Sequence, residues 1–430
     1  MFERLKQISL GNWILIGMIL GLFFGLFLNF YVHDHFIKNI VLMDNVFYLG
    51  GNAFIRLMKM LVVPLVFCSI VVGVSSISDI RKIGTIGGRT ILIYILTTAV
   101  AVTIALSIGI LLKPCLGLNM AAAAQTSNVT INQTMTDTIL NIIPENPLNA
   151  LANGDMLPVI IFGVIIGFIL AKLREETDVV NKFFEQSNKI MMAMTGIVMK
   201  FAPIGVFCLM AKTFGSLGFD GILPLAKYVV CVLIGLGIQA FVVYPSLLVV
   251  FTRLNPVTFF RKFMSVMFFA FSSSTSNATI PLNMNKLEDM GVSRDVSSFT
   301  IPLGATINMD GTAIMQGVAV MFAAQAYGID LGASALLTVI FTAVMASIGT
   351  AGVPSVGLVT LTMVFNSVGL PVQAIGVIFG IDHVLDMFRT AVNVTGDAIC
   401  TMIVAFKNKS FDVDVFKGKK EPEKKVENLI

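Results

Sequence analysis

Long apolar runs constrain this chain more than any other feature of its sequence. A helix needs about 20 mostly apolar residues to cross the hydrocarbon core of a bilayer. Of the 430 residues, 56% are hydrophobic and 13% are charged, whereas roughly 25% of the residues of a soluble domain are charged. The sequence therefore predicts an all-α membrane protein. The apolar runs of the N-terminal part lie at residues 11–31, 47–75, 88–112, 156–172, 192–215 and 224–252.

The basic residues indicate which ends of these runs face the cytoplasm. They cluster on alternate sides of successive runs, and the segments between them, such as 113–147 and 216–223, carry few cations. The positive-inside rule then predicts an even number of crossings with both termini in the cytoplasm, in what we expect to be a bacterial inner membrane. The net charge of +4 does not form one basic patch, so we expect no nucleic-acid partner.

The cysteines and histidines do not indicate a metal centre. The five cysteines show no C-x-x-C spacing, and most lie in apolar runs where a thiol is inert. Two histidines flank Asp34 next to the first run, where solvated side chains are the commoner outcome. We expect neither a disulfide framework nor an organic cofactor.

Polar stretches interrupt the apolar pattern from about residue 257 onward. They form two pairs, each with a hairpin-like tip followed by a spanning helix with a polar centre. Lipid cannot hydrogen-bond free peptide groups, so irregular backbone at membrane depth must be buried in protein or line a wet cavity. Paired interruptions are typical of transporters with inverted repeats, although kinked structural helices remain an alternative. The four stretches are 272–281, 308–312, 347–357 and 382–397.

The last stretch carries five polar side chains at helical spacing. At about 100° per residue they fall within a sector of about 80°, so they form one polar stripe. Its members are Asp382, Asp386, Arg389, Asn393 and Asp397.

The stripe has too many acids to be only a structural ion pair. One alternative is that Asp386 and Arg389, at positions i and i+3, simply pair with each other, but ionisable groups inside a membrane are costly and usually functional. Together with Asp310 the stripe has four carboxylates and one guanidinium. An acidic amino acid would complement this set, with its ammonium on Asp386 and a carboxylate on Arg389. Small hard cations, Na⁺ or H⁺, would balance the remaining carboxylates.

Four motifs resemble those of the dicarboxylate/amino acid:cation symporter family, the glutamate and aspartate transporters. They occur in the family's order, and the resemblance covers nearly the whole chain. "MKMLVVPLVFCSI" and "IIPENPLNALANGDMLP" extend it upstream. The motifs are "SSSTSNATIP", "GATINMDGTAIMQG", "SIGTAGVPSVG" and "DMFRTAVNVTGD".

The resemblance implies a fold and an assembly. The fold has eight transmembrane helices, two re-entrant hairpins at 257–292 and 332–368, and inverted repeats of a kind known in this family. Residues 1–255 would mainly form the scaffold of a homotrimer, although the third and sixth helices would join the transport part. Residues 256–408 would form the core of a transport domain that moves as an elevator. Residues 409–430 would be a cytoplasmic tail.

The resemblance also assigns the substrate contacts. Arg389 and Thr312 would hold the side-chain carboxylate, Asp386 the ammonium, and Asn393 with Ser276 the α-carboxylate. Thr390 and the backbone at Val353 and Gly357 would complete the pocket. The tip of the second hairpin, with Gly349, Gly352 and Pro354, would act as the gate, because glycine permits close backbone approach and movement.

Three Na⁺ sites follow from the same resemblance. The ligands of the first would be Asp397 and carbonyls of Gly304, Asn308 and Asn393. Those of the second would be carbonyls of Thr306, Ser347, Ile348 and Thr350, beside Met309. Those of the third would be Asp310, Asn308, Tyr94, Thr97 and Thr98. Without the resemblance, the tyrosine and the two threonines would be assigned to helix packing.

Some positions depart from the family pattern. Asn277 replaces a serine common in relatives, and Phe388 replaces a small residue. Ser274 and Met387 stand where some branches of the family have an additional arginine. Gln316 stands where animal members carry a glutamate linked to potassium and proton exchange, so we expect no potassium counter-transport.

Several functions remain open at this point. Na⁺-coupled uptake of aspartate or glutamate is favoured, with proton coupling through His383 and the carboxylates as a variant. Neutral amino acids, cystine and C4-dicarboxylates are carried by relatives, but Arg389 and Asp386 disfavour them. An intramembrane protease is disfavoured because the serines lack a Lys or His partner, so we do not expect an enzyme. A conducting channel activity could coexist with transport.

Overall fold

A computed structural model describes residues 10–32, 36–75, 86–115, 143–154, 156–218, 222–348, 356–372 and 374–421. The predicted gate of the second hairpin, including Gly349, Thr350, Gly352, Val353 and Pro354, lies outside these residues. Most of the segment between the third and fourth apolar runs and the end of the predicted tail lie outside them as well.

The described residues are helical apart from turns and one isolated β-bridge between Val292 and Phe411, which confirms the all-α class. Two segments, Phe36–Phe47 and Gln239–Val243, are π-helical, and Arg174–Thr177 is a 3₁₀ turn. The α-helices are α1 Leu10–Tyr31, α2 Tyr48–Ser75, α3 Gly88–Leu112, α4 Pro147–Asn153, α5 Met156–Leu173, α6 Asp178–Met199, α7 Ala202–Leu217, α8 Ile222–Ile238, α9 Tyr244–Thr252, α10 Pro256–Ser273, α11 Ser276–Asp289, α12 Arg294–Ile307, α13 Asp310–Ala326, α14 Ala333–Ile348, α15 Val356–Ser367, α16 Ala374–Lys407 and α17 Val413–Phe416.

Two helical stretches among the described residues are long and apolar enough to cross a membrane, Gly88–Leu112 and Ile222–Thr252. A third qualifies if α6 and α7 form one span, although they are bent by 51° relative to each other. The predicted run 192–215 is therefore not one straight helix. Pro203 lies in the first turn of α7, where its missing N–H is tolerated. The total of eight crossings stays a prediction.

A glycine stripe joins α1 to α7. A Cβ built on Gly21 would lie 2.6 Å from the carbonyl oxygen of Phe207, and one on Gly25 would lie 2.7 Å from that of Ala211. Gly17 approaches the α7 backbone in the same way. Small residues let the two backbones meet directly, which is how helices commonly pack inside membranes.

The broken elements of the C-terminal part surround α16. Helices α10 and α11, separated only by Ser274 and Thr275, both pack against it, as do α12, α13 and α15. Helix α13 follows α12 after the two-residue break at Asn308 and Met309. By contrast, the polar stretch 382–397 is not a break, because it lies inside one continuous helix of 34 residues. The irregular backbone therefore comes from the elements around α16.

Candidate functional site

The polar stripe of α16 faces the interior of the protein. Its side chains are between 0% and 7% exposed, so all five members that helical spacing places on one face are buried together. The scaffold for them is the single helix Ala374–Lys407. The stripe therefore lies against protein.

Arg389 forms two buried ion pairs along its own helix. Its Nη1 lies 2.6 Å from Asp382 Oδ1 and its Nη2 lies 2.6 Å from Asp386 Oδ1. The simple Asp386–Arg389 pair that the sequence left open is therefore present, and Asp382 joins it. With both carboxylates ionised, these three side chains carry a net charge of −1. Removing one partner of such a buried pair typically costs about 3–5 kcal/mol.

One edge of the Arg389 guanidinium remains incompletely bonded. Its Nε is buried and has no hydrogen-bond partner among the residues that the structure describes. A buried unsatisfied donor costs about 1–3 kcal/mol, so an acceptor at this edge would be favourable. Asp386 already accepts from Nη2 next to it. Arg389 can thus hold a further carboxylate only by sharing or exchanging its present partners.

The other predicted substrate contacts in the described residues come from the helices around Arg389. A Cβ built on Gly357 would lie 2.7 Å from Thr312 Cγ2 and 3.7 Å from Arg389 Nη1, so α15, α13 and α16 meet here. The buried Thr390 hydroxyl donates to the Asp386 carbonyl, at 2.8 Å. Ser276, also buried, is the first residue of α11, which packs on α16.

The break between α12 and α13 is stabilised from α14. Ser347 Oγ accepts from the Met309 N–H at 3.0 Å and donates to the Ile307 carbonyl at 2.7 Å. Asn308 is 0% and Met309 is 3% exposed. The interrupted backbone is therefore buried and hydrogen-bonded by protein, as its expected membrane location requires.

The residues expected at the first ion site lie together. Asn308 Nδ2 donates to Asp397 Oδ1 at 2.8 Å and reaches the Asn393 carbonyl at 3.4 Å. A Cβ on Gly304 would lie 2.5 Å from Asp397 Oδ1 and 2.7 Å from the Tyr94 hydroxyl, so only glycine permits this approach. Asn308 Oδ1 is buried without a hydrogen-bond partner among the described residues. An unused amide oxygen beside a carboxylate suits a hard cation.

The residues expected at the second ion site are only partly placed together. Ser347 contacts Ile307 and Met309 through its hydroxyl. Ile348 packs against the buried cluster of Tyr94, Leu303, Ile307 and Cys400. Thr306 directs its hydroxyl to the Leu303 carbonyl. Thr350 lies outside the described residues.

Asp310 receives four neutral donors. Its Oδ1 accepts from Thr98 Oγ1 at 2.6 Å and from Thr97 Oγ1 at 3.4 Å, as the third predicted ion site requires. Its Oδ2 accepts from Gln239 Nε2 at 2.8 Å and from the Tyr244 hydroxyl at 2.9 Å.

The sequence reasoning missed Gln239 and Tyr244. A buried glutamine in the run 224–252 was the available signal, because a polar group inside a membrane span needs a partner. Tyr94, predicted at the same site, donates its hydroxyl to the Thr300 carbonyl at 3.1 Å.

Asp310 and Asp397 have no basic partner among the residues that the structure describes, since neither forms an ion pair there with Lys, Arg or His. The same residues contain no group of three or more His, Cys, Asp or Glu that could hold a metal. Two buried carboxylates stabilised only by neutral groups are expensive when ionised. The two carboxylates and the neutral polar groups around them suit small monovalent cations as partners.

Two departures from the family pattern have defined contacts. The Phe388 ring lies edge-on to that of Phe271 of α10, with centroids 4.9 Å apart. Gln316 Nε2 donates to Thr360 Oγ1 at 2.9 Å and joins α13 to α15. Both residues therefore connect the central helices with the two predicted hairpins.

Comparison with known proteins places these features in a family context. The sequence model of the sodium:dicarboxylate symporter family matches residues 10–406. The chain is 34% identical to the proton/sodium-glutamate symport protein of Geobacillus stearothermophilus, over 93% of this chain and 95% of that protein. It is 33% identical to the proton/glutamate-aspartate symporter of Escherichia coli (strain K12), over 94% of each chain. It is 33% identical to the C4-dicarboxylate transport protein of Cupriavidus necator, over 84% of this chain and 85% of that protein.

Proposed function

The chain belongs to the sodium:dicarboxylate symporter family, and we propose that within it the protein takes up L-aspartate or L-glutamate together with Na⁺. The observation that carries this proposal is the buried charge imbalance, since four carboxylates face one guanidinium at 0–7% exposure. The coupling ions would supply the missing positive charge, because an acidic amino acid has a net charge of −1 and contributes only its ammonium group as a partner for Asp386. Membership in a family of transporters also favours transport over catalysis.

Substrate binding at Arg389 would be an exchange of partners. The Nε and Nη2 hydrogens lie on one edge of the rigid guanidinium fork, which suits a bidentate carboxylate. Asp386 would release Nη2 and take the substrate ammonium, while the substrate carboxylate would bind Nε and Nη2. Asp382 would keep Nη1 and hold the guanidinium in place. The two short ion pairs and the unbonded Nε support this scheme.

Na⁺ would bind at the two carboxylates that lack basic partners. Asp397 with Asn308 and Gly304 supports one site, and Asp310 with Thr97 and Thr98 supports another. A tenfold Na⁺ gradient provides about 1.4 kcal/mol per ion, and one charge moving through 100 mV provides about 2.3 kcal/mol. Several coupled ions would therefore concentrate the substrate by orders of magnitude. Because position 316 is glutamine and not glutamate, we expect no potassium counter-transport.

The fold and assembly implied by the resemblance are part of the proposal. Helices α10–α11 and α14–α15 would be the two re-entrant hairpins, because each pair packs together and joins the central elements. Residues 256–408 would move as the elevator domain against the scaffold of a homotrimer in the inner membrane. Both termini would be cytoplasmic.

Proton coupling is the second candidate for the driving ion. The two glutamate-transporting relatives named above are called proton/sodium and proton symporters. An arrangement of neutral donors around buried carboxylates serves a proton as well as Na⁺. A C4-dicarboxylate substrate, which the third relative's name mentions, is less suited because Asp386 would repel it unless an amine is present.

Counterflow in proteoliposomes tests the proposal. Vesicles containing the purified full chain and unlabelled aspartate are diluted into labelled aspartate, with Na⁺ or choline on both sides and with the pH clamped. Na⁺-dependent accumulation of label is the expected result. Accumulation without Na⁺ that increases when the clamped pH is lowered on both sides would replace Na⁺ with H⁺. Failure of aspartate and glutamate to exchange under every condition, with succinate exchanging, would refute the substrate class.

A further inference from the structure

We propose that Gln239 and Tyr244 are positioning residues for ion coupling, which hold Asp310 Oδ2 so that Oδ1 and the threonine hydroxyls face the ion. The inference deepens the proposed function and rests on a Na⁺ site at Asp310. The resemblance to known transporters assigned Asp310, Thr97 and Thr98 to that site. The assignment of Gln239 and Tyr244 rests on the geometry of the structure.

The two carboxylate oxygens of Asp310 have different kinds of partners. Gln239 Nε2 and the Tyr244 hydroxyl approach Oδ2 at 2.8 and 2.9 Å. The two threonine hydroxyls approach Oδ1 at 2.6 and 3.4 Å. All these side chains are at most 3% exposed. The ring and amide come from the long apolar stretch Ile222–Thr252, whereas the threonines come from α3.

The threonines can release Oδ1, but Gln239 cannot release Oδ2 in the same way. Each threonine hydroxyl has one proton, and each also lies within hydrogen-bond distance of the Tyr94 carbonyl, at 3.0 Å for Thr97 and 2.8 Å for Thr98. Turning both protons to that carbonyl leaves their lone pairs and Oδ1 for a cation. The amide nitrogen of Gln239 has only donor hydrogens, so it stays on the carboxylate.

A π-helical turn brings the two Oδ2 donors to the same oxygen. Residues five apart in an α-helix point about 140° away from each other. The segment Gln239–Val243 is π-helical instead, and the Tyr244 N–H donates to the Gln239 carbonyl. This i to i+5 bond brings the two side chains closer to a common direction than an α-helical turn would, and both reach Asp310 Oδ2. The extra residue in the turn is what allows a single helix to hold Oδ2 from two positions, and such turns are frequent at functional sites.

The same helical stretch offers a matched control. Tyr228, on α8, is also fully buried, but its hydroxyl has no hydrogen-bond partner among the described residues. Loss of the Tyr228 hydroxyl removes no bond seen in the structure. Loss of the Tyr244 hydroxyl removes one of the two bonds to Oδ2. The two Tyr→Phe changes are chemically identical, and only the change at Tyr244 removes a hydrogen bond to Asp310.

The experiment compares Tyr244→Phe and Gln239→Met with Tyr228→Phe and with the surface change Ser246→Ala. Each full-length variant is reconstituted, and the Na⁺ concentration for half-maximal aspartate uptake is measured at saturating aspartate. Aspartate binding at saturating Na⁺ and thermal stability in detergent are measured in parallel. We expect the half-saturating Na⁺ concentration to rise about tenfold, equivalent to about 1.4 kcal/mol, in the first two variants. The two control variants should stay within about twofold, which is about 0.4 kcal/mol.

The outcomes separate this inference from the proposed function. An increased Na⁺ requirement with unchanged aspartate binding at saturating Na⁺ supports it. An unchanged Na⁺ requirement in both Tyr244→Phe and Gln239→Met overturns it, while wild-type Na⁺ dependence would leave the proposed function intact. Wild-type uptake that needs no Na⁺ overturns both. If Tyr244→Phe does not fold, Gln239→Met and its Na⁺-dependent thermal shift, expected to need about tenfold more Na⁺, decide the question alone.

Discussion

Replacement of Arg389 by cysteine tests the central ion pairs most directly. The change removes both 2.6 Å contacts and leaves Asp382 and Asp386 buried, at 1% and 7% exposure. A carboxylate bound at Nε and Nη2 would lose two charge-assisted hydrogen bonds, each worth about 1.5–3 kcal/mol. The loss of at least about 3 kcal/mol corresponds to about a hundredfold weaker binding of aspartate. Neutral amino acids, which need no guanidinium, should be favoured relative to aspartate.

The assay is equilibrium binding of labelled aspartate and of serine to purified Arg389→Cys at saturating Na⁺. Thermal unfolding is followed in parallel, because breaking a buried pair is expected to cost about 3–5 kcal/mol of stability. Arg294→Cys is the matched control, since Arg294 pairs at the surface with Glu288 and its side chain is 55% exposed. Such exposed pairs contribute about 0–1 kcal/mol. Unchanged aspartate affinity in Arg389→Cys would refute the assignment of Arg389 to the substrate.

Three further predictions concern packing and local structure. Gly21→Val should unfold the chain at lower temperature in detergent, because its Cβ would lie 2.6 Å from a carbonyl of the facing helix and overpacking costs about 1–3 kcal/mol; an unchanged melting temperature would contradict the direct helix contact. Ser347→Ala should lose about 1–3 kcal/mol because it leaves the Met309 N–H without its acceptor, whereas Ser246→Ala, on the outside of a helix, should not change the unfolding free energy. The hydrogen bond from Lys420 lowers the pKa of the Asp412 carboxyl below its ordinary value. The stabilisation of the following helical turn by the ionised Asp412 carboxylate should therefore be complete above about pH 4. This stabilisation should be lost as the pH falls through the lowered pKa. Amide hydrogen exchange of residues 413–416 measures that loss, and equal protection at pH 2 and pH 6, after correction for intrinsic rates, would contradict it.

Helical periodicity made the stripe on α16 predictable. The angle between two residues on one helix depends only on their separation, so the common face of Asp382, Asp386, Arg389, Asn393 and Asp397 followed from spacing alone. That this face is buried also followed from the cost of placing charges in lipid. The specific motifs then allowed the family to be recognised before any fold was known.

Partner choice inside the site was not predictable in the same way. Spacing allowed Asp386 to pair with Arg389, yet it did not show that Asp382 takes the other end of the fork. Each side chain has several rotamers, and the surrounding helices select among them. For the same reason, spacing did not show that the Tyr94 hydroxyl donates to the Thr300 carbonyl.

The residues around Asp310 show the limit of local patterns most clearly. Thr97 and Thr98 were found through a motif, but Gln239 and Tyr244 are 71 and 66 positions away from Asp310 in the chain. Their positions on one face depend on a π-helical turn, and the α-helical period would separate them. The bend between α6 and α7 was missed for a similar reason, since an apolar run specifies length and hydropathy but not direction.

The helical class, the membrane location and the membership in a family of symporters with acids on the last long helix could all be inferred from the amino-acid sequence. These properties depend on composition, period and short motifs, which are local and need no contact information. The partners of each buried polar group became known from the packed helices: Arg389 donates to Asp382 and Asp386, and Gln239 and Tyr244 donate to Asp310. Such pairings result from competition among all helices for the same buried polar atoms, and that competition is settled only when the chain is packed.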